Sequence, residues 1–362
     1  MNIKTPSQRG AILIIVLWFI VIVTIIVAVL ANETRLSAKV VLHNKIGMQT
    51  WSDILKALRV AEMELLINRM PDPPGTEEVP PSERKNKKYR FDGRILDLTY
   101  PIPETVTVRI YDNAGKINLQ RLSKRKLRQL LEKRIGNDPE KLGTLLDAWQ
   151  DWIDKDDLKR VNGAEKDYYE TLSPPYEPRN SRIETVEELL LIKGFAEVFK
   201  EVEMDTAFTV YGNRTNINPN LATREALMLL PGIDEESVNT ILTQRSEQEF
   251  KSHKDFNEFM EPEQQAEFRS WLNLRSTSRF YTIAVQVKKL EEIEKLANDD
   301  EDKSDKNNAN ESSTPQQTQE KEQAYMITVQ FKGFNQFPKR LMVNPYGVLP
   351  DTRHEHLSTD DD

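Results

Sequence analysis

Cysteine is absent from the 362 residues, which excludes disulfides, thiol catalysis and cysteine-ligated zinc. Histidine is scarce: His43, His253, His354 and His356 are scattered and form no catalytic set. An excess of basic charge is missing too. Lys and Arg total 50 against 58 Asp and Glu, a net charge of −8, which argues against bulk attraction to nucleic acid or anionic lipid. No G-x-S-x-G, Walker A, H-E-x-x-H or G-x-G-x-x-G pattern occurs, so nothing supports an enzyme. Proline, with 19 copies in the chain, is lacking between Pro6 and Pro71. That gap leaves room for one long helix. The 38% hydrophobic fraction is modest and much of it lies in the first thirty residues, giving a polar body with a greasy end. The length suggests two or three domains.

From Ala11 to Ala31 the chain is uncharged and almost wholly apolar, interrupted by Thr24. At about 1.5 Å per residue this span covers about 31 Å, enough to cross a bilayer core. A cleavable secretory core is shorter and ends at a small-residue cleavage site. Here the apolar run instead continues into an amphipathic pattern carried by Leu36, Val40, Trp51, Ile54, Leu55, Leu58, Ala61, Leu65 and Leu66. The spacing predicts one helix from about Ala11 to Arg69, with residues 11–31 in lipid and residues 32–70 amphipathic. Lys4 and Arg9 precede the span and most of the chain follows it, so the N-terminus is expected in the cytoplasm and the body beyond the membrane.

Residues 71–122 begin with a Pro- and charge-rich connector and continue into two strand-like stretches, "RILDLTY" and "ETVTVRIYD". Helical periodicity takes over from 123 to 276. Strand character returns at 277–296 and 324–340. The helical block therefore reads as an insertion into a small sheet. Between the last two strands, residues 297–323 have almost no apolar side chains and read as a disordered polar loop. Residues 341–362 read as a C-terminal tail. The expected fold class is α+β: a pilin-like long N-terminal helix packed on a small antiparallel sheet, with a large inserted all-helical domain containing helix-hairpin-helix or SAM-like units.

Two stretches of the block could carry chemistry. In "LLDAWQDWIDKDDLKRVNGAEKDYY", Asp147, Asp151 and Asp154 lie at helical spacing, followed by Asp156, Asp157, Asn162, Gly163 and Glu165 in a loop. Hard cations such as Ca²⁺ take six to eight oxygen ligands. A helix end passing into an acidic, Gly-containing loop can supply them, although the EF-hand spacing is missing. The alternatives are a solvated acidic face and acid catalysis by a membrane-tethered hydrolase. The second stretch, "INPNLATREALMLLPGIDEESVNTILTQR", resembles a helix-hairpin-helix unit, with a partner half in "IETVEELLLIKGF". Such turns can offer backbone amides to phosphate. Here Pro231–Asp234 is followed by Glu235 and Glu236, which favours a packing or protein-binding module over a DNA-uptake protein.

Arg9-Gly10, where polar leader meets apolar helix, resembles the prepilin-peptidase site of type IV pilins and secretion pseudopilins. The resemblance implies a leader of residues 1–10, cleavage between Gly10 and Ala11, and an N-methylated Ala11. Most pilins carry glutamate as the fifth mature residue, where this chain has Ile15, and phenylalanine as the first, where it has Ala11. A carboxylate at the bilayer centre costs about 2.5–3.5 kcal/mol, so its absence suits a subunit with no neighbour to pair with on one side. With "DNAGKINLQRLS", "PRNSRIETVEELLLIKGF" and "TNINPNLATREALMLLPGI" in the same order, the chain is similar to the type II secretion system minor pseudopilin K family. The similarity spans roughly residues 7–334 and departs in the polar loop after Leu296. It implies a structural subunit in the inner membrane of a Gram-negative bacterium. Its partners would be minor pseudopilins I and J at the tip of a periplasmic pseudopilus, with no nucleic acid. It also implies calcium, assigned here to Asp151, Asp154, Asp156, Asp157 and Glu165.

Overall fold

The computed structural model describes residues 9–71, 88–288 and 322–351. The leader up to residue 8, the connector at 72–87, most of the polar loop and the final eleven residues lie outside these. Two compact units divide the chain, Met1–Leu55 and Lys56–Asp362.

Helix α1 (Arg9–Arg69) runs unbroken, as the missing prolines allow; it makes up the described part of the first unit, and its last turns belong to the second. Residues 14–31 are exposed throughout. Thr24, the polar interruption of the span, turns its hydroxyl onto the Ile20 carbonyl at 2.8 Å. In hydrocarbon a hydroxyl with no acceptor is costly, and this bond removes most of that cost. Past the span Thr34 bonds the Leu30 and Ala31 carbonyls in the same way.

In the second unit, five antiparallel strands form a sheet: β1 (Asp92–Ile95), β2 (Val106–Asp112), β5 (Phe280–Val287), β6 (Gln323–Gln330) and β7 (Lys339–Val348), in the order β1-β2-β5-β6-β7. Val108, Ile110, Ile283, Val285 and Val329 are fully buried. So are Ala57, Leu58, Ala61 and Leu65 on the last turns of α1, so the sheet is stabilised mainly by apolar burial. Polar ties fix the register of these turns. Glu64 accepts from the Thr99 backbone N–H at 2.9 Å, and Glu62 pairs with Arg340 at 2.8 Å. Arg69 donates to the Ser278 carbonyl and to the Tyr281 hydroxyl.

Neighbouring strands β2 and β5 pair from Val106↔Val287 to Asp112↔Tyr281, yet residues 113–279 separate them in sequence. The insertion is thus real. Its stem is clasped by Asp112, which accepts from the Ser278 N–H through both carboxylate oxygens at 3.0 and 3.1 Å and from Ala114 N–H at 2.8 Å. Burial pushes the Asp112 carboxyl up, and these hydrogen bonds partly offset it. The inserted block has its own core, running from Ile117 to Leu272, which takes no residue from the five strands. Its helices are α2 (Lys124–Ile135), α3 (Pro139–Ile153), α4 (Lys166–Tyr169), α5 (Phe195–Phe199), α6 (Met204–Ala207), α7 (Arg224–Leu229), α8 (Glu235–Glu247) and α9 (Pro262–Arg269).

Four expectations need correction. The C-terminal tail begins as a strand, β7. Pro345 and Gly347 break the alternation that marks a strand, and an edge strand tolerates proline where a central one does not. The first strand sits at Asp92–Ile95, two residues ahead of "RILDLTY", of which only Arg94 and Ile95 are strand. Within the block read as helical, "IETVEELLLIKGF" forms no regular helix: it holds a 3₁₀ turn at Glu187–Leu191, and Gly194 at φ +81° separates this from the short α5. The block also holds a parallel strand pair, β3 (Ile117–Asn118) with β4 (Phe208–Thr209), too short to show a period.

Candidate functional site

The acidic stretch folds as the C-terminal end of α3 and the loop that carries the chain to α4. Asp151 is fully buried on α3 beside Trp152. Arg160 turns back from the loop and bridges Asp151 at 2.6 Å and Asp154 at 2.5 Å, while its backbone N–H reaches Asp151 Oδ2 at 3.2 Å. Those two carboxylates hold the Arg160 guanidinium above its ordinary pKa. Gly163 lies hard against the same carboxylate: a Cβ there would sit 1.8 Å from Asp151 Oδ2. Asp147 accepts from the Asn162 N–H at 3.2 Å, closing the loop on the helix.

Glu165 is the unusual group. It is buried, and neither carboxylate oxygen has a hydrogen-bond partner; Asp154 Oδ1 is likewise unpartnered. Burial, together with the charges of Asp151, Asp154, Asp157 and Asp156, pushes its pKa up to about 7. The remaining acids take local roles. Asp156 accepts from the Leu158 N–H at 3.1 Å in a turn, and Asp157 accepts from the Asn180 side chain at 2.8 Å, both exposed.

The structure therefore draws Asp151, Asp154 and Glu165 toward one charge cluster and turns Asp156 and Asp157 to solvent. The donors are all oxygen and their charge exceeds that of Arg160, which suits a hard cation in chemistry. As folded, the guanidinium holds the place between Asp151 and Asp154. Among the described residues no three acidic groups converge tightly enough to coordinate an ion. Sequence reading did not single out Arg160, although a lone arginine six residues after the last helical acid is a signal it could have used.

The hairpin unit is built in the opposite way. Helices α7 and α8 flank Pro231-Gly232-Ile233, with Gly232 at φ +74°. A Cβ on Gly232 would stand 2.4 Å from the Gln264 carbonyl oxygen, so α9 covers the turn. Lys133 donates to the Leu230 and Ile233 carbonyls, both at 2.6 Å, and Asp234 caps α8 by accepting from the Ser237 N–H. Both arginines of the unit are committed: Arg224 to Asn239 and Glu235, and buried Arg245 to the Pro219 and Ala222 carbonyls. A phosphate would find a packed turn flanked by acids. The described polar groups of the turn are spent on packing the block together.

An antiparallel sheet with a helical block spliced between two adjacent strands, preceded by a long N-terminal helix, defines an α+β protein; among the described residues one helix is long and apolar enough to cross a membrane. The model of the family described as type II secretion system (T2SS), protein K matches residues 112–202, the stem and first half of the block. The chain is 24% identical over 268 residues to type II secretion system protein K of Aeromonas hydrophila, covering 70% of this chain and 80% of that one. It is 36% identical over 66 residues to protein K of Pectobacterium carotovorum subsp. carotovorum, covering 18% and 20% of the two chains. The solved GspK-GspI-GspJ complex of enterotoxigenic Escherichia coli contains a chain that this one matches at TM-score 0.47 and 13% identity, covering 84% of this chain and 99% of that one. In sequence the chain is thus similar to type II secretion system protein K, through the family model over residues 112–202 and through these two relatives.

Proposed function

We propose that this protein is a minor pseudopilin, a non-enzymatic subunit that α1 anchors in the inner membrane with its N-terminus cytoplasmic and its body periplasmic. In this reading a prepilin peptidase cuts between Gly10 and Ala11, and Ala11 is then methylated. The helix left behind bundles with the helices of minor pseudopilins I and J at the tip of the pseudopilus, where the subunit helps to initiate assembly and export. The observation that carries the tip position is the 113–279 block between β2 and β5. Subunits stacked along a shaft have neighbours above and below. A second domain on one sheet is accommodated most easily where nothing is stacked above it. The test is to co-purify the full-length chain in detergent with its I and J partners and measure the mass by light scattering. A stable ternary complex is the expected result, and a chain that stays monomeric contradicts the tip role.

We also propose Ca²⁺ as the ion of the acidic loop: with the Arg160 guanidinium swung out of its place, Asp151, Asp154 and Glu165 would close on the ion, and Asp156 and Asp157 would add charge nearby. The uncompensated Glu165 supports this reading: a bound divalent cation would supply the partner its two oxygens lack. Millimolar Ca²⁺ is expected to raise the melting temperature and EGTA to reverse the rise; no shift removes the proposal.

A further inference from the structure

At the stem of the insertion lies a polar pocket of about 230 Å³. Its lining includes Lys116, Asn118, Arg214, Ser276 and Arg279, and contains no carboxylate. Two of its groups are buried with nothing to bond. Asn118, 3% exposed, uses its carbonyl oxygen on the Gln120 N–H, which leaves its Nδ2 donor unpartnered. Ser276, also 3% exposed, has an unpartnered hydroxyl. A buried donor left unpaired is costly, so two in one pocket mark a place where a ligand completes the bonding. Gly212, at φ +150°, keeps the approach open: a Cβ there would stand 2.8 Å from Asn118 Nδ2.

The cations are arranged around these donors. Arg214 and Arg279 are exposed and have no ion-pair partner among the described residues. Lys116 is buried, with its Nζ on the Asp205 carbonyl at 2.5 Å, and burial lowers its pKa. The carboxylates that reach the lining are already engaged: Asp112 by the Ala114 and Ser278 N–H groups, Asp205 by the Asn344 amide at 2.8 Å. Donors below and guanidinium groups at the rim match an acceptor-only ligand that carries negative charge.

We propose that this pocket binds a small oxyanion, with Asn118 Nδ2 and the Ser276 hydroxyl donating from its floor and Arg214 and Arg279 pairing with it from its rim. The proposal is independent of the calcium reading, which concerns a ligand of opposite charge on other residues. The oxyanion could be free phosphate or the carboxylate of a neighbouring chain, and two probes separate these sources.

The test uses the full chain in detergent with EGTA present, at constant ionic strength. Inorganic phosphate and succinate are titrated separately, with melting temperature and equilibrium dialysis as readouts. At about ten times the dissociation constant a rise of roughly 2–4 °C is expected. A response to phosphate alone supports a free anion, and a response to succinate supports a carboxylate ligand. The double variant Arg214→Gln/Arg279→Gln is expected to weaken binding at least tenfold, while Arg128→Gln, which removes one exposed charge from α2, leaves it unchanged. No binding of either probe, or equal binding by the double variant, overturns the proposal. Substitution at the exposed rim leaves the buried floor intact, so misfolding does not cloud the result.

Discussion

The hairpin turn at Pro231–Asp234 and the loop from Asp151 to Glu165 both connect helices, and both bring a glycine hard against a neighbour. They differ in what happens to their polar groups. At the hairpin Lys133 takes up two carbonyls, Asp234 caps the next helix, and both arginines have partners. In the acidic loop one arginine serves two carboxylates, and Glu165 is buried with nothing to bond. Buried polar groups are nearly always satisfied, so the hairpin reads as scaffold, while the loop keeps a buried carboxylate that the fold itself leaves without a partner.

The largest effect in this comparison is expected from Arg160→Met. Asp151 would then be a buried charge without its ion pair, and removing one partner of such a pair costs about 3–5 kcal/mol. The half-exposed arginine places this case near the lower figure. Chemical denaturation would show the loss, and Ca²⁺ is expected to recover more of it in this variant than in the parent chain. Equal responses would separate Arg160 from the ion's position.

Gly232→Ala is expected to cost about 2–3 kcal/mol, since the residue must hold a positive φ and press into the Gln264 carbonyl. No added ligand should restore it. A variant that melts like the parent would show that α9 does not clamp the turn.

Glu165→Gln should have the smallest effect at neutral pH and the clearest dependence on pH. A carboxyl near 4.3 in the unfolded chain and about 7 in the fold takes up a proton on folding. Its contribution is complete below the unfolded pKa, declines as pH rises through 7, and is then constant. The parent chain should therefore lose of order 2 kcal/mol between pH 4.5 and 7.5 relative to Glu165→Gln. Parallel stability profiles would mean that Glu165 is solvated.

Several parts of this arrangement are legible in the sequence because they rest on local rules. The proline gap foretells α1, Ser123 and Gly136 bracket α2, and the return of alternation at Phe280 marks β5 as partner to an earlier strand. Where the outcome depends on contacts far apart in the chain, the sequence is silent. Strand β7 is held by its pairing with β6, which compensates for Pro345. The division of labour among the acids was hidden for the same reason. At helical spacing Asp151 and Asp154 look alike, but the fold buries the first completely and leaves the second half-exposed. The pocket of Asn118 and Arg214 joins residues ninety-six positions apart, and no local pattern could reveal it.

The account stands on α1 surviving as an anchor after its leader is removed, and the mass of the N-terminal peptide of protein recovered from membranes tests that directly. A peptide starting at methylated Ala11 is the expected result. One that still starts at Met1, or that begins beyond Ala31, would contradict it.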